Sequence, residues 1–270
     1  MRRTAFALCA VIVLGGRAVQ AQLLVDPLEV VIATSGAGRA LGSFSVTNSS
    51  DKAVQATITR QDWDRREDGE NRFLPPGTTG TSCGDVLTAS PLSIRVEAHT
   101  SRIVRLVAPN PASLQKECWD IFFVEEIAQR SQLKGNSLQF LFRTGVKVYL
   151  TPPGLKADAA IEDMSIAQPT ATKSAPASSA PPASKDQIAV TFHNLGGTHL
   201  LAKGRLEFRR LDNTLAMEVS IPEFPTLPGA TRRLTLDVPA GLGAGDYVVI
   251  ALVDFGGAEL VAGQIDYRAK

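Results

Sequence analysis

Residues Asn136–Pro152 read NSLQFLFRTGVKVYLTP. Leu138, Phe140, Phe142, Val146, Val148 and Leu150 fall on one side of an extended strand. Gln139, Arg143, Lys147 and Tyr149 fall on the other, with Leu141 among them. Successive side chains point to opposite faces of a strand, so a period of two held this long predicts a strand with one apolar face. Such a face has to be covered by the domain's own core, by a neighbouring domain or by a partner. The alternation alone leaves these readings open.

Working outward, almost everything else also reads as short strands and turns. Leu24 to Ile32, Ser43 to Thr47, Val54 to Trp63, Ile94 to Leu106 and Trp119 to Ile127 carry β-branched and aromatic runs. Asn48-Ser49-Ser50-Asp51 and Thr34 to Gly38 are turn clusters. Arg65 to Gly84 is polar and Gly/Pro-rich, and is expected to be a long loop. From Ile188 the β pattern resumes and runs to Tyr267, punctuated by Gly196-Gly197, Pro228-Gly229, Gly241 to Gly245 and Gly256-Gly257. The expected fold is all-β, with two immunoglobulin-like β-sandwich domains at 22–152 and 153–270. Gln168 to Lys185 is almost all Pro, Ala, Ser, Thr and Lys, a composition that cannot bury enough surface to order itself. It is expected to be a disordered insert within the second domain.

Arg2 and Arg3 precede an apolar run from Ala5 to Leu14, and Val19-Gln20-Ala21 ends it with small residues. This pattern predicts a secretory signal peptide at 1–21. The run is too short to span a membrane, and no other segment is apolar enough to do so. Loss of Arg2, Arg3 and Arg17 takes the formal charge from +1 to −2, so no basic excess points to nucleic acid. Cys9 leaves with the signal, and Cys83 and Cys118 remain as an even pair in an exported chain, which predicts a disulfide.

Enzyme signatures are absent from the sequence. His99, His193 and His199 lack metal-ligand spacing, and the last two flank a turn, so they are expected at the surface. The chain contains no GxSxG or GxxxxGK[ST] motif. The acidic stretch Asp62 to Asn71 does not fit a calcium loop. Aligned on Gly69, it puts Arg66 at a ligand position and Pro75 where the bidentate acid belongs. No metal or cofactor is expected.

Four segments resemble the PapD-like pilus chaperone family. One is the opening strand. Ser90 to Leu106 ends in Ile103-Val104-Arg105-Leu106, with Ala98-His99 where the family usually has Pro-Gly. Glu117 to Ile127, ECWDIFFVEEI, is similar to the family's glutamate followed by an apolar strand, without its usual closing proline. Val253-Asp254-Phe255-Gly256-Gly257 resembles a turn of the family's second domain.

The resemblance implies two domains in a boomerang arrangement, fixed by an interdomain ionic cluster of Arg105, Glu117 and Asp254. It implies a non-catalytic periplasmic chaperone that binds pilin-like or other exported β-rich subunits, with an outer-membrane usher as a further candidate partner. Capture would be by strand addition through 138–148. Leu138, Phe140, Phe142 and Val146 would fill the subunit's groove, and Lys147 would anchor its terminal carboxylate. The family's second anchoring base is expected on the first strand, yet no Lys or Arg occurs from Gln22 to Ala37, and Glu29 stands near its place. This favours an alternative: an envelope adaptor or structural module that keeps the fold without such anchoring.

Overall fold

The computed structural model describes residues 23–34, 38–109, 114–127, 141–167 and 186–270. The expected signal segment, the insert at 168–185, and Leu138 and Phe140 lie outside the described residues.

The first sandwich contains β1 (Leu23–Asp26), β2 (Glu29–Ala33), β3 (Ala40–Asn48), β4 (Val54–Arg65), β5 (Asn71–Leu74), β6 (Thr88–Ser90), β7 (Ser93–Val96), β8 (Ser101–Ala108), β9 (Cys118–Glu126) and β10 (Arg143–Thr151). One sheet has the order β1-β3-β8-β6. The other runs β2-β10-β9-β4-β5, with β7 also paired to β4. The expected strand from Leu24 to Ile32 is thus two strands, because the chain crosses between sheets at Pro27-Leu28. The stretch expected to be one loop from Arg65 holds β5 and β4's last residue. β4 and β5 form a hairpin whose tip is stapled by hydrogen bonds between Arg66 and Glu70 and between Gly69 and Arg66.

Between the sheets lies a core of alternate residues, including Val46, Ile58, Val104, Leu106, Phe122, Val124, Val146, Val148 and Leu150. Val146, expected to face a subunit, is fully buried here. It sits in phase with Val148 and Leu150 and belongs to the domain's own core. Cys83 and Cys118 form a disulfide with Cα atoms 5.0 Å apart, tying the β5–β6 connection to the start of β9.

The second sandwich contains β11 (Ala159–Ala167), β12 (Gln187–Asn194), β13 (Leu200–Arg210), β14 (Leu215–Thr226), β15 (Thr231–Asp237), β16 (Gly245–Asp254) and β17 (Val261–Ala269). A three-stranded sheet, β11-β12-β15, faces a four-stranded one, β14-β13-β16-β17, across Ile188, Val190, Phe192, Leu206, Phe208, Val249 and Ala251.

One strand breaks the half-buried pattern. The first seven residues of β9, CWDIFFV, are all buried. A strand covered on both faces reads as a continuous apolar run instead of an alternating one. Phe122 and Val124 enter the first core. Trp119, Ile121 and Phe123 join a separate cluster with Trp63, Tyr149 and Leu227, the last contributed by the second domain.

Candidate functional site: the cleft between the domains

On the faces of β4, β9 and β10 turned away from the first core, Trp63, Trp119, Ile121, Phe123 and Tyr149 cluster with Leu227 of the second domain. Trp119 Nε1 donates to the Trp63 carbonyl at 2.9 Å, and Tyr149 meets Trp63 edge-on at 6.1 Å. Leu227 and Ala230, on the turn between β14 and β15, close over this aromatic floor.

The second domain is held at two polar points. At the first, the Glu117 carboxylate is fully buried. It accepts from Thr151 Oγ1 at 2.6 Å, Thr198 Oγ1 at 3.1 Å, the His199 N–H at 2.6 Å and His199 Nδ1 at 2.9 Å. An ionised carboxylate can only accept, so Nδ1 carries the proton. Burial works to raise the Glu117 pKa, but the bonds from His199 and Thr151 and the field of His199 outweigh it, leaving the carboxyl below its ordinary range. The His199 ring also stacks on Tyr149, with centroids 3.9 Å apart. Asn194 positions this turn, donating from Nδ2 to the Thr198 carbonyl and accepting from the Gly196 N–H. At the second point the β4–β5 hairpin tip reaches β15. The Arg233 N–H and Arg232 Nη1 both donate to the Glu67 carbonyl, at 2.9 and 2.5 Å.

Glu117 stands at the domain junction, bonded to Thr198 and His199, and Arg105 and Asp254 lie apart from it. Arg105 is exposed on β8, because its neighbours Val104 and Leu106 take the inward positions. Asp254 is exposed at the end of β16, where its carboxylate accepts from the Gly256 N–H and holds a turn. His199, expected at the surface, is the partner that Glu117 has in their place. No local pattern in the sequence marks it, because its stacking partner Tyr149 reaches it only through the tertiary packing.

Lys147 lies on the cleft face of β10, in parallel register with Glu29 of β2. Its Nζ lies 5.2 Å from the centroid of the Trp63 ring, and the Arg65 guanidinium lies 5.6 Å from the same ring. Arg65, two residues beyond Trp63 on β4, was not anticipated. The period of two that faces Trp63 into the cleft faces Arg65 there as well. Burial lowers the Lys147 pKa, the nearby Arg65 charge lowers it further, and Glu29 partly offsets both.

β2 begins at Glu29, opposite Lys147, so β10 from Arg143 to Val146 pairs with β9 alone. The Lys147 N–H points to the β2 side, donating to the Leu28 carbonyl at 2.9 Å. By alternation the backbone groups of Arg143 and Gly145 face the same side, where no strand is paired among the described residues. Gly145 has no room for a side chain, since a Cβ there would lie 2.6 Å from Ile121 Cδ1. Phe142 precedes this edge and is half-buried.

Residues 28–156 match the family model described as the pili and flagellar-assembly chaperone, PapD N-terminal domain. Among solved structures the chain resembles a chaperone–tip adhesin complex of CFA/I fimbriae biogenesis. The TM-score is 0.52 and the identity 12%, over 92% of this chain and 100% of that one. It resembles the class 5 fimbriae chaperone CfaA equally, with a TM-score of 0.52 and 12% identity over 90% of this chain and 98% of that one. At such identity the likeness is one of fold. A comparison with curated proteins found no match. The first domain thus matches the PapD N-terminal domain of pilus chaperones, over just under half of the chain, and the fold across both sandwiches is one shared with fimbrial chaperones.

Proposed function

We propose that the protein is a periplasmic chaperone that captures pilin-like or other exported β-rich subunits by adding its own strand, residues 138–148, to theirs. The observation that carries this reading is the edge of β10 from Arg143 to Val146, paired to β9 and, among the described residues, unpaired on the other side. An unpaired edge offers backbone donors and acceptors to another strand. Val146, Val148 and Leu150 already fill the protein's own core, so residues of the same phase farther back, Phe142, Phe140 and Leu138, are left for a partner's groove. Lys147 stands at the inner end of the strand and would receive the subunit's terminal carboxylate.

One observation favours the second reading, an envelope adaptor without subunit anchoring: Glu29 is in register beside Lys147. Mass spectrometry of proteins that co-purify from the periplasm, with Phe140→Asp as the control, separates the two. A small β-rich exported subunit present with the wild type and lost in the variant supports strand donation. Clean monomer in both samples supports the adaptor.

A further inference from the structure

Glu126 closes β9 in the same phase as Phe122 and Val124, so its side chain turns inward at the end of the first sandwich. There it meets β1, and the backbone N–H of Leu23 donates to its carboxylate. Oε1 of that carboxylate is buried and has no hydrogen-bond partner. No ion pair among the described residues includes Glu126. The nearby cation Arg143 goes to Glu125 instead. Burial pushes the Glu126 pKa up, and the Leu23 bond only partly opposes it. A buried carboxylate oxygen without a donor is costly, and it marks a place where a donor, best of all a cation, is missing.

Leu23 is two residues beyond Ala21, where the expected signal segment ends. Hydrolysis of the Ala21–Gln22 bond by a signal peptidase leaves a carboxylate on Ala21 and an amine on Gln22, which at neutral pH takes up the proton the new carboxyl releases. A neutral amide with one N–H becomes an ammonium with three. Covalent geometry holds successive backbone nitrogens within about 3.7 Å of each other, so this charge arises beside the N–H that already reaches Glu126. We infer that Glu126 is the seat of the mature chain's α-ammonium, and that removal of the signal segment completes the first sandwich by forming this ion pair. Before cleavage the carboxylate has no counter-charge there. After it, the pair joins the start of β1, in one sheet, to the end of β9, in the other. β1 is a four-residue edge strand, so it gains the most from a tether. Processing and folding are thereby coupled: the precursor keeps β1 loosely held and the cleaved chain fastens it. The inference rests on export of the chain and is independent of subunit capture.

A chain starting at residue 22 is compared with one that keeps Ala21, which moves the ammonium one residue away, each with Glu126 and with Glu126→Gln. All four carry Gln22→Ala, because an N-terminal glutamine cyclises and loses its charge. The amide of Glu126→Gln still accepts from the Leu23 N–H. Urea unfolding at neutral pH is followed by tryptophan emission. With Glu126, the extra residue should lower the folding equilibrium constant roughly tenfold, the loss of one charge-assisted bond. With Glu126→Gln the change should be less than about twofold on the same scale. An equal loss in both backgrounds, or none in either, would overturn the pairing. A second readout is the rate at which an acetylating ester modifies the α-amine at pH 7, read by mass spectrometry of the N-terminal peptide. Only the neutral amine reacts, and a carboxylate partner favours the charged form. Acetylation should therefore be several-fold faster in Glu126→Gln, and faster also in the chain that keeps Ala21. Equal rates in all chains sink the pair even if Glu126→Gln folds poorly. The first residue of the exported protein, read the same way, tests the premise. A start other than Gln22 overturns the inference whatever the four chains show. A start at Gln22 without coupling leaves export standing and removes the ion pair.

Discussion

Removing Glu117 tests whether the domain junction is built as described. Its carboxylate is fully buried and takes four hydrogen bonds, three of them from Thr198 and His199 of the second domain. Hydrogen bonds to a charged group contribute roughly 1.5–3 kcal/mol each, and they are not additive. In Glu117→Ala the threonine hydroxyls can turn to water and His199 is 19% exposed, so part of the loss is recovered. The net cost should be about 3 kcal/mol, measured as a fall in the urea midpoint followed by tryptophan emission. The sharper number is the coupling between Glu117→Ala and His199→Ala in a double-mutant cycle, expected at about 2 kcal/mol. Arg105→Ala and Asp254→Asn serve as controls. Both residues are exposed and remote from Glu117's bonds, so each should lie within about 0.5 kcal/mol of wild type. A Glu117–His199 coupling below about 0.5 kcal/mol, or a large effect of Arg105→Ala that is lost when Glu117 is absent, would refute the reasoning. The second outcome would restore the ionic cluster that the resemblance implies.

Two further perturbations probe the first sandwich. Replacing Cys83 and Cys118 by Ser opens a link across a sequence separation of 35, worth about 4 kcal/mol on the chain-entropy account. The melting temperature should fall by roughly 8–15 °C, and an unchanged value would show that the bond does not form in the protein. The other concerns Asp120, which is fully buried beside Asp62, with Arg60 Nε 4.0 Å away and Ser82 donating to it. Burial above all pushes its pKa up to about 6, with the Asp62 charge adding and Arg60 and Ser82 opposing. The folded state thus binds this proton more tightly than the unfolded chain does. Its ionisation costs stability as pH rises from about 4 to about 6, by roughly 2–3 kcal/mol, and the cost is flat above that. Asp62 acts in the opposite direction. Burial raises its pKa, but bonds from Thr79, Ser82 and Gly77 prevail and hold it low, so its contribution is present above the ordinary carboxylate range and lost on acidification. Asp120→Asn should flatten the slope of stability between pH 4 and 6, read as urea midpoints across that range, and an unaltered slope would remove Asp120 as its source.

How much of this was legible beforehand depends on whether the cause of a feature is local. Period-two alternation is a property of the strand itself, so the strands and the all-β architecture were readable, as was the disulfide from an even cysteine count behind an expected signal segment. The destination of a strand's apolar face is not local. Val146 and Phe142 share one phase and one hydrophobic character, yet Val146 is fully buried between the sheets while Phe142, just before β10 begins, is half-buried. The same limit explains the junction. Motif matching found Glu117, since a glutamate before an apolar strand is a linear pattern. It could not find His199, whose place depends on how Asn194 turns the chain between β12 and β13. A buried carboxylate must have donors, but chemistry requires only that they be donors, not that they be an arginine. A chain can therefore keep the buried acid and exchange the partner. The cleft makes the parallel case for cations. The absence of a base from the first strand read as a loss of anchoring, whereas Arg65 was visible two residues beyond Trp63 and in its phase. Arg65 of β4 feels the charge of Lys147 on β10 and that of Arg232 on β15, so which strand brings positive charge to the cleft is decided by tertiary packing and not by a linear pattern.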